Sequence, residues 1–516
     1  MQPALHGCRE ISFTKTSQLD ELDAEVKRLS IRLEELKNGL QPVQQLPPDV
    51  IVEIATYLDP RSCGGDYQQL MAMSQVCRYW RETLTSSAAS WCFISSEYKD
   101  LVPLCLERSG SYPLEVELNT DTSFSDTIWH IGPHVNRLAT LQCRLGEANS
   151  AFLQTLFQLD HSPNLRTLSI RTAIAPSVDP QMIKMPLVSG DMPSLHTLEL
   201  LPFPVIPRFV EFRHPTNLRL DVMHSTLTNV LDLLAANPSL EKVRLIGNFE
   251  ENEDAHATGS IFLRHLRFFT VERCTPCTFL EKLAFPRNAR IFIRHNLISH
   301  FIPFASTLPQ SMGEYANLQG LTSLRALITN GTYIDVTGPN GSIAIRLMDL
   351  QDASTVCDAI ALLSTTGITQ FVCEFHPDLT GMKIHKVTGM MNFLPHLEEI
   401  VLVHFGEADV QEFLSVLKNT SGWMELLRLK FVHCRRITDW IGDLIQVAAE
   451  RMDDGLVLDT VTVVYEGTEQ VQELFDVLGG FVRTLDRVEL EASEVTRSEQ
   501  VWDDTSCTTR VVSVLV

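Results

Sequence analysis

The feature of this sequence that most constrains its fold is a short apolar signature that recurs from about residue 140 onward. In each copy an apolar residue is followed by two others, a second apolar residue, one other and a third apolar residue. The clearest copies begin at Leu165, Leu195, Leu240, Leu266, Leu397, Leu426, Leu458 and Leu485. Alternation of this kind places every second side chain on one face of a strand. The sequence therefore predicts a series of short, half-buried strands.

Amphipathic segments lie between several of these strands, with apolar residues at helical spacing. The clearest segments are 226–236, 354–363, 410–417, 440–449 and 471–478. Alternation of strands and helices predicts an α/β protein, either a doubly wound sheet or a stack of repeats. The repetition favours a solenoid, because each unit of a solenoid buries its apolar face only by stacking on the next.

The repeating unit resembles the leucine-rich repeat, in which Asn or Cys after the strand satisfies backbone groups at a turn. Asn248, Cys274 and Cys434 stand at that place, whereas the other copies lack it and residues 279–350 follow the pattern poorly. The resemblance implies an irregular, degenerate leucine-rich-repeat-like α/β solenoid over residues 140–516.

In leucine-rich repeats, ligands commonly bind the concave face, which is lined by the outward positions of the strands. The mixed charges at these positions do not identify a ligand. The candidate target-binding residues are Lys242, Arg244 and Lys430.

A second pattern, over residues 46–91, predicts a small helical hairpin. Its first helix begins at Pro47-Pro48, where proline costs little because the amides of the first turn have no partner within the helix. Asp49 adds negative charge at this end, where the helix dipole favours it. A glycine-rich loop separates the two helices, and Trp91 closes the unit. The apolar positions of the first helix are Val50, Ile51, Ile54 and Leu58, and those of the second are Leu70, Met73, Val76, Cys77 and Trp80.

The order of these residues resembles the F-box family. It is also similar to the F-box-like proteins of mushroom-forming fungi, which often carry a preceding leucine-rich helix and a Leu-Glu-Arg-Ser-Gly stretch, here residues 106–110. The resemblance implies that residues 46–112 form an F-box-like helical domain that docks on the Skp adaptor of a cullin-type ubiquitin ligase. The positions that it assigns to the adaptor are Leu46, Pro47, Pro48, Ile51, Ile54, Leu58, Val76, Cys77 and Trp80.

The N-terminal region divides into two parts. Residues 1–17 have no periodic pattern and are expected to be disordered. Residues 18–41 predict a heptad helix, closed by Gly39 and Pro42. This helix either associates weakly with a second copy or lies against the body of its own chain, and the pattern does not choose between them. Its seam consists of Leu19, Leu22, Val26, Leu29, Leu33, Leu36 and Leu40.

Charge and composition restrict the classes of partner. The net charge is −22, and residues 398–516 carry 10 Lys and Arg against 23 Asp and Glu. Nucleic-acid binding needs a basic footprint, so no nucleic-acid partner is expected. No apolar run predicts a membrane span, and no secretory signal is visible. Twelve scattered cysteines fit a reducing compartment, so a cytoplasmic or nuclear location is expected.

The sequence predicts neither a catalytic centre nor a bound cofactor. Phosphate-loop, zinc-protease and nucleophile-elbow motifs are absent from it. Cys274 and Cys277 have the spacing of a metal or redox pair, but the sequence contains no second Cys-x-x-Cys pair that would complete a metal site. No metal site is therefore predicted.

Two functional hypotheses remain. In the first, the chain is a non-enzymatic substrate receptor whose F-box-like segment holds the ligase while the repeats hold a target protein. In the second, it is an interaction scaffold outside any ligase, and the hairpin only caps the end of the solenoid. Leu46 and Pro47 distinguish the hypotheses, because a cap would tolerate alanine there and a docking site would not.

Overall fold

Parallel strands that follow one another in sequence form the framework of both units of this chain. The structure, a computed structural model, describes residues 6–39, 42–57, 67–119, 124–145, 164–172, 193–201, 215–221, 226–247, 260–272, 277–296, 315–328, 331–348, 357, 360–363, 365–375, 385–419, 423–434, 436–466, 471–490, 502–503 and 508–509. The first unit is Met1–Ala173 with Pro186–Leu195, and the second is Ile174–Met185 with His196–Val516.

The first unit combines helices with a small parallel sheet. Its helices are α1 (His6–Gly39), α2 (Pro48–Tyr57), α3 (Gln68–Val76), α4 (Arg78–Ser86), α5 (Val102–Arg108) and α6 (Phe124–Ile131). Its 3-10 turns are Pro42–Gln45, Ala88–Trp91, Ser96–Leu101 and Gly132–Arg137. Its strands are β1 (Phe93–Ser95), β2 (Leu114–Leu118), β3 (Leu138–Leu145) and β4 (Thr167–Thr172), and they pair in that order, all parallel.

The sheet begins earlier in the chain than the sequence pattern predicted. Strand β1 lies inside residues 46–112, which were predicted to be helical, and β2 precedes residue 140. Every residue of the three-residue β1 is buried, so no alternation of exposed and buried positions marks it as a strand. Burial of both faces is typical of parallel sheets, whose strands read as short continuous apolar runs.

The single helix predicted after the glycine-rich loop is two helices. Cys77 separates α3 from α4, because its backbone is extended, with φ −159° and ψ 174°. Its thiol accepts a hydrogen bond from the Trp80 amide at 3.5 Å and so caps the start of α4. Capping by cysteine is not among the usual sequence signals for a helix start, which are Ser, Thr, Asp and Asn.

Near its C-terminal end, the region 46–112 that was predicted to be helical is also divided. The segment Ser96–Leu101 is a 3-10 turn with non-helical φ and ψ at Tyr98, and the α-helix begins only at Val102. Pro103 lies in the first turn of α5, where its missing amide hydrogen leaves no intrahelical bond unmade.

Helix α1 is longer than the heptad pattern alone predicted. It begins at His6, within residues 1–17, and ends at Gly39. Once a helix has nucleated, each added residue gains a backbone hydrogen bond without a further nucleation cost. No proline follows Pro3 before Gly39, so nothing in this stretch interrupts the extension.

The second unit contains the longer sheet. Its helices are α7 (Leu227–Ala236), α8 (His385–Met391), α9 (Glu407–Asn419), α10 (Ile437–Asp453) and α11 (Gln472–Leu478), with 3-10 turns at Cys277–Lys282 and Thr365–Gly367. Its strands are β5 (Thr197–Leu201), β6 (Asn217–Asp221), β7 (Lys242–Ile246), β8 (Ile261–Phe262), β9 (Phe268–Glu272), β10 (Leu283–Ala284), β11 (Arg290–Asn296), β12 (Ser323–Ile328), β13 (Gly331–Gly338), β14 (Gly341–Met348), β15 (Gln370–Phe375), β16 (Glu399–Val403), β17 (Arg428–Val432), β18 (Thr460–Glu466), β19 (Thr484–Leu490), β20 (Trp502–Asp503) and β21 (Thr508–Thr509).

An antiparallel hairpin interrupts the parallel order of this sheet. The described strands pair in the order β5-β6-β7-β9-β11-β14-β13-β12-β15-β16-β17-β18-β19. Among the described strands in this order, the antiparallel pairs are those of β13 with β12 on one side and with β14 on the other. The β13–β14 turn contains Pro339-Asn340, and the hairpin explains why residues 279–350 do not follow the repeat.

Apolar residues form continuous rows across the parallel strands. Ile400 of β16 lies opposite Leu429 of β17, which lies opposite Val461 of β18. In β19 the predicted register is wrong, since Leu485 rather than Val488 is opposite Val461. The preceding Val482 is buried, so the last copy starts three residues before Leu485. The mixed α/β class is confirmed, whereas the solenoid and the leucine-rich-repeat relationship stay predictions.

Four predicted helical segments of the second unit coincide with α7, α9, α10 and α11, whereas the predicted segment 354–363 lies largely outside the described residues. The Thr226 side chain caps α7 by accepting a hydrogen bond from the Asn229 amide. Trp440 of α10 is fully buried, and its ring lies 4.9 Å from that of Phe431. After β17, the Cys434 thiol donates to the Leu402 and Val432 carbonyls at 3.7 and 3.8 Å, the turn role that the repeat pattern assigned to it. Asn248 and Cys274 lie outside the described residues.

Gly341 provides a test of how closely the hairpin of β13 and β14 approaches its neighbours. A Cβ atom there would lie 2.8 Å from the Ala289 and Asn317 carbonyl oxygens and 2.9 Å from that of Arg287. We expect Gly341→Ala to lower the free energy of unfolding by about 1–3 kcal/mol, as overpacking does. The measurement is the shift in urea midpoint relative to the parent chain.

Gly442 in α10 is the matched control, because a Cβ there meets nothing within 4 Å. Gly442→Ala should stabilise by about 0.5–1 kcal/mol through helix propensity. Equal effects of the two substitutions would contradict the close packing around Gly341.

Candidate functional site

The Leu-Pro-Pro segment of the first unit is held in place by two sets of hydrogen bonds. The Pro47 carbonyl accepts from the Val50 and Ile51 amides at 3.1 and 3.2 Å, which starts α2. The Tyr79 hydroxyl of α4 donates to the Leu46 carbonyl at 2.9 Å. Leu46 is half-buried and both prolines are exposed. The segment is therefore fixed to the hairpin yet accessible to a partner.

Two residues that the resemblance assigned to the adaptor lie inside the unit instead. Ile51 is completely buried, and Trp80 is buried as well. They pack in the core of the first unit, so they support the surface rather than contact a partner. Ile54 and Cys77 are half-buried, Val76 is exposed, and Leu58 lies outside the described residues.

The helical hairpin exposes large apolar side chains, of which the resemblance assigned only Val76 to the adaptor. Isolated exposed apolar residues are common, but a group on one small unit marks an interaction surface. The signal for such a residue in the sequence is an apolar side chain that lies away from the buried side of its helix, as Tyr57 does on α2. The exposed members are Val43, Val50, Tyr57, Met71 and Val76, and with Leu46, Pro47 and Pro48 we call them the hairpin surface.

A shallow cleft of about 390 Å³ lies between α2 and α4, next to the two prolines. Its lining mixes apolar and polar groups, including the Asp49 and Glu82 carboxylates. The other lining residues are Pro48, Val52, Tyr79, Thr83, Ser86 and Ser87. A cleft of this kind suits side chains of a protein partner better than a buried small molecule, which needs an enclosed apolar pocket.

Tyr67 and Trp91 join the hairpin to the strand and helix that follow it. The Tyr67 hydroxyl donates to the Phe93 carbonyl at 2.5 Å, and its ring meets Tyr98 edge-on at 5.1 Å. The Trp91 indole donates to the Leu84 carbonyl at 2.8 Å, and the Arg108 guanidinium lies 4.3 Å from its ring centre. These contacts fix the hairpin surface on a rigid base.

Burial raises the pKa of two groups at this junction. The pKa of the Tyr67 hydroxyl lies well above its ordinary value, chiefly because burial disfavours the phenolate. Burial also raises the pKa of the Cys105 thiol to about 11. The Cys105 thiol lies 3.9 Å from the Tyr67 oxygen. Because both pKa values are raised, both groups remain protonated at neutral pH.

A second candidate surface is the face of the second-unit sheet formed by the outward strand positions. Between β6 and β12 this face carries charged side chains in ion pairs. Arg244 pairs with Glu272 at 2.8 Å, and Arg325 pairs with Glu374 at 2.5 Å. Burial raises the pKa of Asp335, and the opposing charges of Arg325 and Arg290 limit the rise.

From β15 to β19 the same face carries valines as well as charged residues such as Lys430, and three of the valines, Val401, Val432 and Val464, are buried. Six valines occupy outward positions in adjacent strands, and we call them the valine row. Their sequence signal is an unbroken apolar run such as residues 400–403, which predicts a strand apolar on both faces. The valine row consists of Val372, Val401, Val403, Val432, Val464 and Val488.

The three predicted target-binding residues do not form one cluster. Lys242 and Arg244 lie on β7, where Lys242 is exposed and Arg244 is engaged by Glu272. Lys430 lies on β17, opposite Val401 and Thr462 in the flanking strands. Eight strand spacings separate β7 from β17, or about 38 Å along the sheet. These residues therefore belong to different parts of the face.

Within the described residues, no group of three or more His, Cys, Asp and Glu side chains could hold a metal ion. No helix in the same part of the chain is both long and apolar enough to cross a membrane. Cys277 begins a 3-10 turn, and its predicted companion Cys274 falls outside the residues described.

The comparison with protein families finds an F-box-like domain at residues 43–94. The match begins at Val43 in the 3-10 turn before α2 and ends at Ile94 in β1, so it includes the whole hairpin surface. F-box-like domains typically bind Skp1-type adaptors. A comparison with curated proteins gave no match.

Cys105 provides a test of the junction by pH. In the unfolded chain the thiol ionises near its ordinary pKa of about 9, whereas in the folded unit it ionises near 11. The folded state therefore binds more protons between these values, and stability falls as the pH rises from 9 to 11. We expect unfolding monitored by tryptophan fluorescence to show a smaller fall over this range in Cys105→Ala than in the parent.

Tyr67 remains in both chains, and its raised pKa is due chiefly to burial rather than to Cys105, so the largest part of its alkaline contribution is common to both. Between pH 7 and 8.5 the two stability curves should be parallel. Parallel curves from pH 9 to 11 as well would contradict the assignment of the alkaline loss to Cys105.

Proposed function

We propose that this chain is a non-enzymatic substrate-recognition subunit of a Skp–cullin–F-box ubiquitin ligase, similar to the F-box-like proteins of mushroom-forming fungi. The observation that carries the proposal is the coincidence of the F-box-like match at residues 43–94 with the hairpin surface. Independent physical evidence, the exposure of apolar side chains, thus marks the same segment that the family model matches.

The hairpin surface suits docking on the Skp adaptor. Its exposed apolar residues offer the hydrophobic centre of an interface, and Asp49, Glu53 and Glu82 offer a polar rim. The buried Ile51 and Trp80 hold the backbone under this surface, so they contribute to binding by keeping the contact residues in place. The adaptor in turn links the chain to the cullin.

The second unit is proposed to hold the target protein on the outward face of a degenerate leucine-rich-repeat solenoid. Val372, Val403 and Val488, the half-buried members of the valine row, supply apolar contact area, and Lys430 lies opposite Val401 with a positive charge. Lys242 and Arg244, farther along the sheet, would contact a different part of a large target. The receptor does no bond chemistry; it raises the local concentration of target lysines near the charged ubiquitin carrier. Its place of action is the cytoplasm or nucleus.

The alternative is an interaction scaffold outside any ligase, in which the hairpin only caps the sheet. The contacts of Trp91 and Tyr67 favour this alternative, because they connect the helical hairpin to β1 and the residues around it. A cap, however, has no use for exposed apolar residues such as Tyr57 and Val76. Adaptor binding therefore separates the two functions.

Val76→Glu tests adaptor docking without disturbing the core. Val76 is 51% exposed, so the substitution should leave folding unchanged but place an unpaired charge in the proposed interface. We expect a loss of about 2 kcal/mol or more, roughly 30-fold in the dissociation constant for a purified Skp adaptor. The measurement is titration calorimetry on the full chain.

Val477→Glu is the matched control, because Val477 is 50% exposed and lies on α11 of the second unit. Its affinity for the adaptor should equal that of the parent. Leu46→Ala/Pro47→Ala should weaken binding as Val76→Glu does. No binding by the folded parent would refute the ligase function and leave the scaffold.

A further inference from the structure

The heptad stripe of α1 is a continuous apolar surface that the described residues of the chain leave largely exposed. Leu19, Leu22, Val26, Leu29, Leu33 and Leu36 are each between 53% and 65% exposed. Residues 19–36 span about 27 Å of helix at the usual rise per residue. A contiguous apolar patch of this length marks an interaction site, because isolated exposed side chains do not align in this way. The alternative packing against the body of the same chain is therefore not adopted.

The spacing of the stripe identifies the kind of partner. Successive steps of three and four residues repeat over the whole stripe, which is the a/d pattern of a two-helix coiled coil. Leu19, Val26 and Leu33 occupy a positions. Leu22, Leu29 and Leu36 occupy d positions. A partner helix must present the same spacing, and a second copy of this chain does so.

The charges that flank the stripe determine the orientation. The g positions are Gln18, Glu25 and Arg32, and the e positions are Asp23, Ser30 and Lys37. In a parallel dimer each g residue faces the next e residue of the partner. Arg32 of each copy would therefore face the partner's Lys37, which gives two contacts between positive charges. Such like-charge contacts are unfavourable. In an antiparallel dimer g residues face g residues. Glu25 of each copy would then face the partner's Arg32, which gives two contacts between opposite charges.

We propose that α1 forms an antiparallel coiled-coil homodimer in which Glu25 pairs with Arg32 of the partner copy. The same register stacks Leu19 on the partner's Leu36, Leu22 on its Leu33 and Val26 on its Leu29. These contacts and their symmetry mates make six apolar layers with no polar residue among them. The stripe is covered in full. This assembly does not depend on the proposed ligase function, and its test involves no adaptor.

The first experiment compares two apolar residues of equal exposure on α1. Leu29 is a central d residue and is 56% exposed, whereas Ile31 lies outside the stripe and is 63% exposed. Sedimentation velocity of the full chain at tens of micromolar should give a dimer for the parent and for Ile31→Asp, and a monomer for Leu29→Asp. A monomeric parent, or equal loss of dimer in both variants, would overturn the proposal.

The second experiment tests orientation by charge. Glu25→Arg should weaken the antiparallel dimer about tenfold, because two attractive surface pairs become repulsive. Glu25→Arg/Arg32→Glu should restore it, and the two single variants should form a mixed dimer with each other. Glu21→Arg, one turn away at a c position, is the control and should leave the mass unchanged.

Arg32→Glu alone gives opposite results in the two orientations. In the antiparallel dimer the new carboxylate faces the partner's Glu25, and the repulsion between them weakens the dimer. In a parallel dimer it would gain the partner's Lys37 and bind more tightly. Tighter association of this variant would therefore overturn the antiparallel assembly, and far-UV circular dichroism verifies that every variant keeps the helix content of the parent.

Discussion

The fold of this protein depends on main-chain hydrogen bonds between parallel strands that succeed one another along the chain. Parallel strands cannot be joined by a tight turn, so each pair requires a crossover segment. Helices such as α9 and α10 occupy these crossovers and cover one face of the sheet with residues such as Phe413 and Trp440. The repeating apolar signature, the interleaved helices and the rows of aligned apolar side chains are all consequences of this one mode of pairing.

Local patterning was sufficient to locate many elements. The first residues of the signature, such as Leu165, Leu195 and Leu240, are buried as predicted, and Thr226 caps its helix. The break at Cys77 was missed because a thiol cap leaves no usual signal, and β1 was missed because three buried residues show no alternation. The register of β19 was wrong because both Leu485 and Val488 are apolar, and only the opposite strand distinguishes them. Strand pairing decided the cases of β1 and β19, whereas the break at Cys77 depends on a local cap.

The candidate surfaces were predictable to different degrees. Motif resemblance located the hairpin, but burial divides its residues into those that shape the surface, such as Ile51, and those that present it, such as Val76. Val50, Tyr57 and Met71 carry no motif and became visible only through exposure. On the second unit, charged residues drew attention in the sequence, yet Arg244 is engaged by Glu272. The valine row lies on the same face, and no prediction from the sequence singled it out.

The hairpin of β13 and β14 also has a consequence for how the second unit folds. On either side of it, strands pair with near neighbours in sequence, so each side can grow by adding one strand at a time. At the hairpin, β11 pairs with β14 and β12 with β15, and both pairings skip intervening strands. Loop closure and contact order make such steps slower than pairing between neighbours. We therefore expect the two flanking ladders to form first, and their joining through β11–β14 and β12–β15 to be the slower step.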